Sequence, residues 1–310
     1  MGRRGRLDQV TSAVHEGVGA VDSGRRRRRA TAPAALGLLP FGAYVAVFLA
    51  LPTGIALASG LFTSDGAFTL ENLSALADPV ILGAFWNSIW LSFLTAAIGA
   101  VVGAALSYAM LGFPEDGRAR SIVDAASGVL AQFGGVMLAF AFIATIGLQG
   151  VVTVFLRDVF GVDIFADGAW IYELPGLVLP YIYFQVPLMV ITFLPALAGL
   201  KPQWMEATLT LGGTPATFWW KVGIPVLAPS FFASFLLLIA NAFSSYATAA
   251  ALSSQGSSIV PLQIRTALTS ETVLGRENVA GVLALGMIVI MAVVMCAYAL
   301  VQRRAARWQA

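Results

Sequence analysis

Apolar runs long enough to cross a lipid bilayer recur six times along this sequence. They lie at residues 34–60, 87–111, 122–148, 174–199, 229–253 and 279–302. An α-helix of about 20 apolar residues spans the hydrocarbon layer and satisfies its own backbone hydrogen bonds there. Of the 310 residues, 58% are hydrophobic and 11% are charged, whereas about 25% are charged in a soluble domain. The sequence therefore predicts an all-α integral membrane protein with six transmembrane helices.

Basic residues are distributed unevenly between the two sides that these runs define. Eight arginines lie in residues 1–32 and seven further Lys or Arg residues lie on the same side, against three on the other side. Such basic segments remain in the cytoplasm. We therefore expect both termini in the cytoplasm, with residues 1–32 as a disordered basic tail, 33–303 as the transmembrane domain and 304–310 as a C-terminal tail. Because the arginines directly precede an apolar run, we interpret them as a topology signal and expect no nucleic-acid binding.

The cytoplasmic segment 200–228 lies between the fourth and fifth runs and is too long to lack structure of its own. Pro202 suits the first turn of a helix. That helix is expected to run to about Leu211 and to end at Gly212 and Gly213, since glycine is the usual residue beyond a helix C-terminus.

A second short helix is predicted directly after this glycine bend. Thr214 is a good N-cap with Pro215 at the first helical position, and Pro225 is expected to end the helix. The loop carries a heavy apolar load for a cytoplasmic segment, which is typical of a protein interface. The residues concerned are Trp204, Met205, Leu209, Leu211, Phe218, Trp219 and Trp220. An aromatic belt at the lipid headgroups is the alternative for the last three.

The same loop resembles the EAA loop of bacterial type I ABC importer permeases. That pattern is Glu-Ala-Ala, three residues, Gly, nine residues, and Ile-x-Leu-Pro; here Glu206-Ala207-Thr208, Gly212 and Val222-Gly223-Ile224-Pro225 stand at those spacings. Thr208 replaces the second alanine. The resemblance implies the type I ABC importer permease (MetI-like) fold and a cell-membrane location in a bacterium.

The resemblance also implies a role for the loop and a set of partners. The segment from Glu206 to Gly212 would be a coupling helix that docks in a cleft of an ATPase, with Glu206 making a polar contact; solvation of a helix surface is the alternative. The implied coupling residues are Trp204, Met205, Glu206, Ala207, Thr208, Leu211 and Gly212. The implied partners are an ABC ATPase dimer, a second permease subunit, an extracytoplasmic substrate-binding protein and the lipid bilayer.

An enzymatic activity of the chain itself is not expected. Neither lysine, Lys201 or Lys221, follows a glycine-rich turn, so a phosphate-binding loop is absent. ATP and Mg²⁺ are therefore expected on the separate ATPase, with no cofactor or metal in this chain. An ion-coupled secondary transporter is a weaker alternative, because the interiors of the runs show no obvious ionisable residue.

Polar residues in two of the runs are candidates for the translocation pathway. Asn241, Ser244, Ser245 and Thr248 have spacings that place them on one face of a helix. Tyr181, Tyr183 and Gln185 are weaker candidates in the fourth run. Interhelical hydrogen bonding is the alternative for all of them. Small residues such as Gly99 and Gly103 are expected to allow close helix packing.

The substrate is less constrained than the transporter class. Segments 243–252, 260–264 and 278–286 resemble permeases grouped with spermidine/putrescine importers, which favours a polyamine. Acidic residues in the external loops would help a cationic substrate, although ordinary solvation explains them equally well; these are Asp65, Glu71, Glu173 and Glu271. Sugar, iron, phosphonate and thiamine remain the alternatives.

Overall fold

The computed structural model describes residues 39–62, 67–114, 117–253, 259–269 and 276–309. The basic tail expected at residues 1–32 lies outside these residues, as do Asp65 and Glu271. The helices are α1 (Leu39–Ser59), α2 (Pro79–Met110), α3 (Arg118–Gln132), α4 (Val136–Ile146), α5 (Val151–Phe160), α6 (Val178–Ala198), α7 (Pro202–Thr210), α8 (Pro215–Phe218), α9 (Ile224–Ser244), α10 (Ala247–Leu252), α11 (Val260–Thr269) and α12 (Arg276–Gln309). The last helix thus continues through most of the segment expected to be a C-terminal tail.

Six stretches in the described part of the chain are long and apolar enough to cross a membrane, which confirms the predicted fold class. They are Leu39–Ser59, Pro79–Met110, Val136–Phe160, Leu174–Ala198, Pro215–Ser244 and Asn278–Arg303. The chain divides within α1 into a unit of residues 1–55 and a unit of residues 56–310. The described part of the first unit is one helix with a π-helical turn at Ala46–Ala50.

The centre of the second unit is formed by α2, α6 and α9, which pack extensively on one another. Glycines allow α2 to approach α6 closely: a Cβ added to Gly103 would lie 2.5 Å from the Cβ of Met189, and one added to Gly99 would lie 2.6 Å from that of Gln185. Such distances leave no room for a side chain, so the small-residue prediction is confirmed at both positions. Around this centre, α12 packs on α9, and α3 packs on α6.

The second span begins earlier than the sequence predicted. The predicted start was residue 87, whereas α2 begins at Pro79. The side chain of Asp78 accepts a hydrogen bond from the Val80 amide at 2.8 Å, and proline occupies the first helical position. An aspartate N-cap followed by proline is a strong helix start, and this local signal outweighs the polar residues that follow it.

The third span is interrupted, whereas one continuous helix was predicted over 122–148. The helix stops at Gln132 and resumes at Val136, with Gly135 at φ +75° between them. After this break, Leu138 and Ala139 pack with Leu177 and Tyr181 at the start of α6.

Together, α3 and α4 carry the chain from the end of the bundle where α2 stops to the end where α6 begins. They form the third crossing, although the apolar stretch that begins at Val136 continues into α5. The chain between them and α6 was expected to be a loop over 149–173, but residues Val151–Phe160 of it form α5.

Candidate functional site: the 200–228 loop and a buried polar belt

The first half of the 200–228 loop folds as the sequence predicted. Helix α7 begins with Pro202 and ends at Thr210, and Gly212 follows with φ +79°. The amide of Gly213 donates to the carbonyl of Thr208 at 2.9 Å, and the amide of Gly212 donates to that of Leu209 at 3.0 Å. This pair of bonds is a Schellman motif, which satisfies the last carbonyls of a helix and requires a left-handed residue. It makes the end of α7 a rigid turn.

The second half begins as predicted and then differs. The Thr214 hydroxyl accepts from the Thr217 amide at 3.2 Å and caps α8, which starts at Pro215. Pro225 does not end this helix, so that expectation was wrong. A π-helical turn, Trp219–Gly223, joins α8 directly to α9. Because a π turn has wider backbone spacing than an α-helix, the chain accommodates the proline ring without stopping.

Exposure divides the residues of this loop into two groups. Glu206, Ala207 and Gly212 are exposed, and the side chain of Leu211 is 88% exposed. Trp204, Met205 and Thr208 are half-buried, and the Thr208 hydroxyl donates to the Trp204 carbonyl at 2.8 Å. The expected coupling residues therefore surround a projecting turn.

The aromatic residues of α8 and of the π turn after it lie away from the projecting turn. Phe218, expected at the surface, is buried, and the half-buried Trp219 ring meets Tyr108 edge to face at a centroid distance of 5.3 Å. Trp220 is 74% exposed. Trp219 also borders an apolar cavity of about 580 Å³ between α2, α6 and α9. The aromatic cluster thus anchors α8 to the bundle, whereas α7 projects from it.

A second set of residues forms what we call the polar belt: Thr95, Gly135, Tyr181, Gln185, Ser245 and Thr248. Helix α9 ends at Ser244, and the chain resumes as α10 at Ala247. The Tyr181 hydroxyl donates to the free carbonyl of Ser245 at 2.7 Å, and the Thr248 hydroxyl accepts from the Gly135 amide at 2.8 Å. The belt therefore satisfies backbone groups at two helix interruptions, one in the third span and one in the fifth.

The remaining belt contact joins α2 to α6. The Gln185 side chain is fully buried, and its Nε2 lies 3.5 Å from the Thr95 Oγ1. Its Oε1 has no hydrogen-bond partner. A buried acceptor without a partner costs about 1–3 kcal/mol, so Gln185 is held in this position at a cost in stability.

The structure corrects the predicted polar face of the fifth span. Asn241 and Ser244 precede the break and are exposed, Ser245 lies within it and is half-buried, and Thr248 follows it and is buried. The four residues therefore do not share one helical face, because the helix that would align them ends at Ser244. Ser245 and Thr248 meet Tyr181 and Gly135 instead.

Sequence reasoning missed two members of the belt. Thr95 and Gly135 were not selected as functional candidates; the adjacent glycines 134 and 135 were the available signal for the break. Asp124 was also overlooked as an acidic residue of the third span. It lies in the second turn of α3 and is exposed.

Comparison with known proteins gives relatives at low sequence identity, and no family model matches the chain. The chain is 26% identical over 255 residues to a probable ABC transporter permease protein, y4fN, of Sinorhizobium fredii, a match that covers 81% of this chain and 42% of that protein. It is 25% identical over 186 residues to a probable sulfate transport system permease protein, cysT, of Marchantia polymorpha. This match covers 56% of this chain and 57% of that protein. The chain thus spans about half the length of these relatives.

Solved structures share the fold more extensively. A chain of a bacterial ABC transporter involved in the import of the acidic polysaccharide alginate superposes with a TM-score of 0.68 at 15% identity, covering 88% of this chain and 95% of that one. A chain of the MetNI methionine ABC transporter, in an inward-facing conformation, gives a TM-score of 0.52 at 16% identity and covers 73% of this chain and 96% of that one. The molecule therefore has the type I ABC importer permease fold.

Proposed function

We propose that this chain is the permease subunit of a binding-protein-dependent ABC importer in a bacterial cell membrane. It forms half of a translocation pathway, and a second permease subunit supplies the other half. ATP and Mg²⁺ are bound and used by a separate ATPase dimer in the cytoplasm. The similarity to permease proteins and the shared fold support this proposal.

The observation that carries the proposal is the projecting turn formed by α7 and its Schellman motif. A helix whose last carbonyls are bonded within the chain loses little conformational freedom when it binds a partner. Glu206 offers a carboxylate for a polar contact, and Leu211 offers an apolar side chain that water surrounds in the isolated subunit. This combination suits a cleft of the ATPase with an apolar floor and a polar rim.

Movement of the ATPase would be transmitted into the membrane because the chain beyond the turn is one continuous helix. The stretch Pro215–Ser244 is helical throughout, so a displacement of α7 acts on α8 and moves α9 as one body. The far end of α9 is the interruption where the Tyr181 hydroxyl donates to the Ser245 carbonyl. Movement of the ATPase subunits would thus reach the polar belt through a single rigid element.

The polar belt is our candidate for a part of the pathway that is closed in this conformation, because most of its side chains are buried. Its side chains are hydroxyls and one amide, which can hydrogen-bond a passing solute without holding it by charge. The Gln185 Oε1 is an acceptor without a partner in this conformation. We place Asn241 and Ser244, which are exposed, on the same pathway. A substrate-binding protein delivers the solute at the end of the bundle opposite the 200–228 loop.

For the substrate we propose a polyamine first and sulfate second. The last third of the sequence resembles spermidine/putrescine-type permeases, and Glu71 and Glu173 are exposed at the end opposite the 200–228 loop. The similarity to sulfate permease proteins favours sulfate. Uptake of radiolabelled spermidine and sulfate by cells with and without the gene separates the two. Loss of spermidine uptake on deletion supports the first choice, and loss of sulfate uptake alone overturns it.

The coupling role is tested with the transporter complex in proteoliposomes. Glu206→Ala should lower both transport and substrate-stimulated ATP hydrolysis severalfold, because the contact with the ATPase is lost. Gln203→Ala is the matched control: Gln203 is exposed on the same helix and lies outside the signature. Equal activity of the two variants would contradict the coupling role. Transport driven by an ion gradient without ATP would instead indicate a secondary transporter.

A further inference from the structure

Helix α5 presents its apolar face outward. At 100° per residue, six of its seven apolar side chains occupy one half of the helix, and Val154 lies with the three polar side chains on the other half. The apolar arc comprises Val151, Val152, Phe155, Leu156, Val159 and Phe160. Val151 is 75% exposed, Phe155 54% and Val159 60%. The opposite arc carries buried Thr153, half-buried Val154, and the exposed residues Arg157 and Asp158.

Helix α5 by itself is too short to cross a membrane. It follows the end of the third crossing after a tight turn between Gly147 and Gly150. A Cβ on Gly147 would lie 2.3 Å from the Ile143 carbonyl oxygen, and one on Gly150 would lie 2.5 Å from that of Thr145. The helix has 10 residues, a length of about 15 Å, which is half the thickness of the hydrocarbon layer.

The apolar arc of α5 continues an exposed apolar surface of α4 and the turn after it. Phe140 on α4 and Leu148 in the turn are exposed apolar residues, and Val151 follows them along the chain. A surface of this kind at the edge of a membrane span meets the boundary between headgroups and acyl chains. Lipid is therefore the occupant that the neighbouring surface indicates.

The charges of Arg157 and Asp158 indicate how α5 would attach to a bilayer. The Arg157 Nε lies 3.7 Å from the Asp158 Oδ1 at the surface. This pair is electrically neutral as a whole, so α5 has no net charge to attract anionic lipids. Its attachment would depend on apolar burial and vary little with the charge of the bilayer.

We propose that α5 is an interfacial helix. Its apolar arc is buried at the headgroup–acyl boundary of the leaflet opposite the 200–228 loop, and the exposed side chains of Arg157 and Asp158 face water. In this position α5 sets the depth of the third crossing in the bilayer. It also holds the start of the segment that leads into α6 at the membrane surface. The inference depends on membrane insertion and on no particular substrate or ATPase.

The test uses the full chain in nanodiscs, with Cys296 replaced by Ala and one new cysteine carrying the fluorophore NBD. Phe155→Cys and Val159→Cys report on the apolar arc, and Asp158→Cys is the control on the polar arc. Lipids brominated on the acyl chain should quench the first two severalfold more than the third, and aqueous iodide should show the reverse order. The result should be the same in zwitterionic and anionic bilayers.

Two outcomes would overturn the proposal. Equal iodide quenching at all three positions would place α5 in water. Protection of positions 155 and 159 from both quenchers would mean that protein covers the arc, and comparison at one and at two chains per nanodisc would identify a second copy. As a control, Phe155→Leu is combined with the fluorophore at position 159. Unchanged quenching there shows that a substitution at position 155 does not by itself displace the helix. None of these outcomes bears on ATP coupling at Glu206.

Discussion

Thr248 is a single side chain that connects two interrupted spans. Its hydroxyl accepts from the Gly135 amide at 2.8 Å, and the side chain is fully buried. The Gly135 amide precedes α4, so it has no partner within that helix. An unsatisfied amide at membrane depth costs several kcal/mol. The contact therefore accounts for the stability of a helix break at this position.

Replacing Thr248 with Val should destabilise the folded chain by about 0.6–2 kcal/mol, the range for hydrogen bonds between membrane helices. The change keeps the shape of the side chain and removes only the acceptor. Thr248→Ser is the control, because it keeps the hydroxyl. The free energy of unfolding in mixed micelles measures the effect. A Ser variant that is less stable than the Val variant would show that packing matters more than the hydrogen bond.

Gly212 determines the shape of the projecting turn through its backbone. Its φ of +79° costs a residue with a Cβ about 1–2 kcal/mol. Gly212→Ala should therefore open the Schellman motif more often and speed hydrogen exchange at the Gly213 amide by about fivefold or more, since 1.4 kcal/mol is tenfold. Gly128→Ala in α3 is the control, because an added Cβ there meets nothing within 4 Å. Unchanged exchange in both variants would contradict this account.

At the scale of elements, α2 and α6 form the closest helix pair of the bundle centre. Gly99 and Gly103 lie one turn apart on α2 and face Gln185 and Met189. In a membrane, close backbone approach increases van der Waals contact where the hydrophobic effect supplies none. The same approach buries Gln185 and brings it within reach of Thr95. Close packing of this pair therefore positions part of the polar belt.

Gly103→Ala should destabilise the chain by about 1–3 kcal/mol, as expected for overpacking of a tight interface. The added methyl would meet the Cβ of Met189 at 2.5 Å and the carbonyl oxygen of Val186 at 2.8 Å. Gly83→Ala on the same helix is the matched control, with nothing within 4 Å. Thermal unfolding in detergent, followed by size-exclusion chromatography, compares the two. Equal melting temperatures would show that α2 and α6 separate without cost.

At the scale of the whole molecule, the two ends of the bundle differ. One end carries the short connection 111–117 and the turn of α7, and the other carries α5, α11 and the segment that leads into α6. The first end holds Arg118, Arg120, Lys201 and Lys221, and the positive-inside rule assigns it to the cytoplasm. This orientation is a prediction that the fold by itself does not test.

Single cysteines at two exposed positions, Gln203 and Glu173, test the orientation. With Cys296 replaced by Ala, a membrane-impermeant maleimide should label Glu173→Cys in intact spheroplasts. It should label Gln203→Cys only after lysis or in inverted vesicles, because α7 would face the cytoplasm. The reverse pattern would invert the topology and remove the basis for ATPase docking at the 200–228 loop. A third position, Ser92→Cys, which is buried on α2, controls for non-specific entry of the reagent into the bundle.

Local features of the sequence determined the number of candidate spans and the ends of the short helices in the 200–228 loop. Six apolar runs predicted the six candidate spans, because length and apolarity decide whether a helix can cross a bilayer. Pro202, Gly212 and Thr214 predicted the start of α7, its left-handed end and the cap of α8, since each of these signals acts within one helical turn.

Only the tertiary structure decided where the spans are interrupted and which polar groups meet. The glycines 134 and 135 signal a break in the sequence, whereas Ser245–Tyr246 carries no such signal. In both places the break is stable only because a distant residue satisfies the freed backbone groups. Thr248 does so for Gly135, and Tyr181 does so for Ser245, across separations of 113 and 64 residues. Likewise, Pro225 continues a helix because the π turn before it provides the space, and Phe218 is buried by the packing of α8 against the bundle. Both breaks and the burial of Phe218 depend on contacts between segments that are distant in the sequence, and local propensity does not describe such contacts.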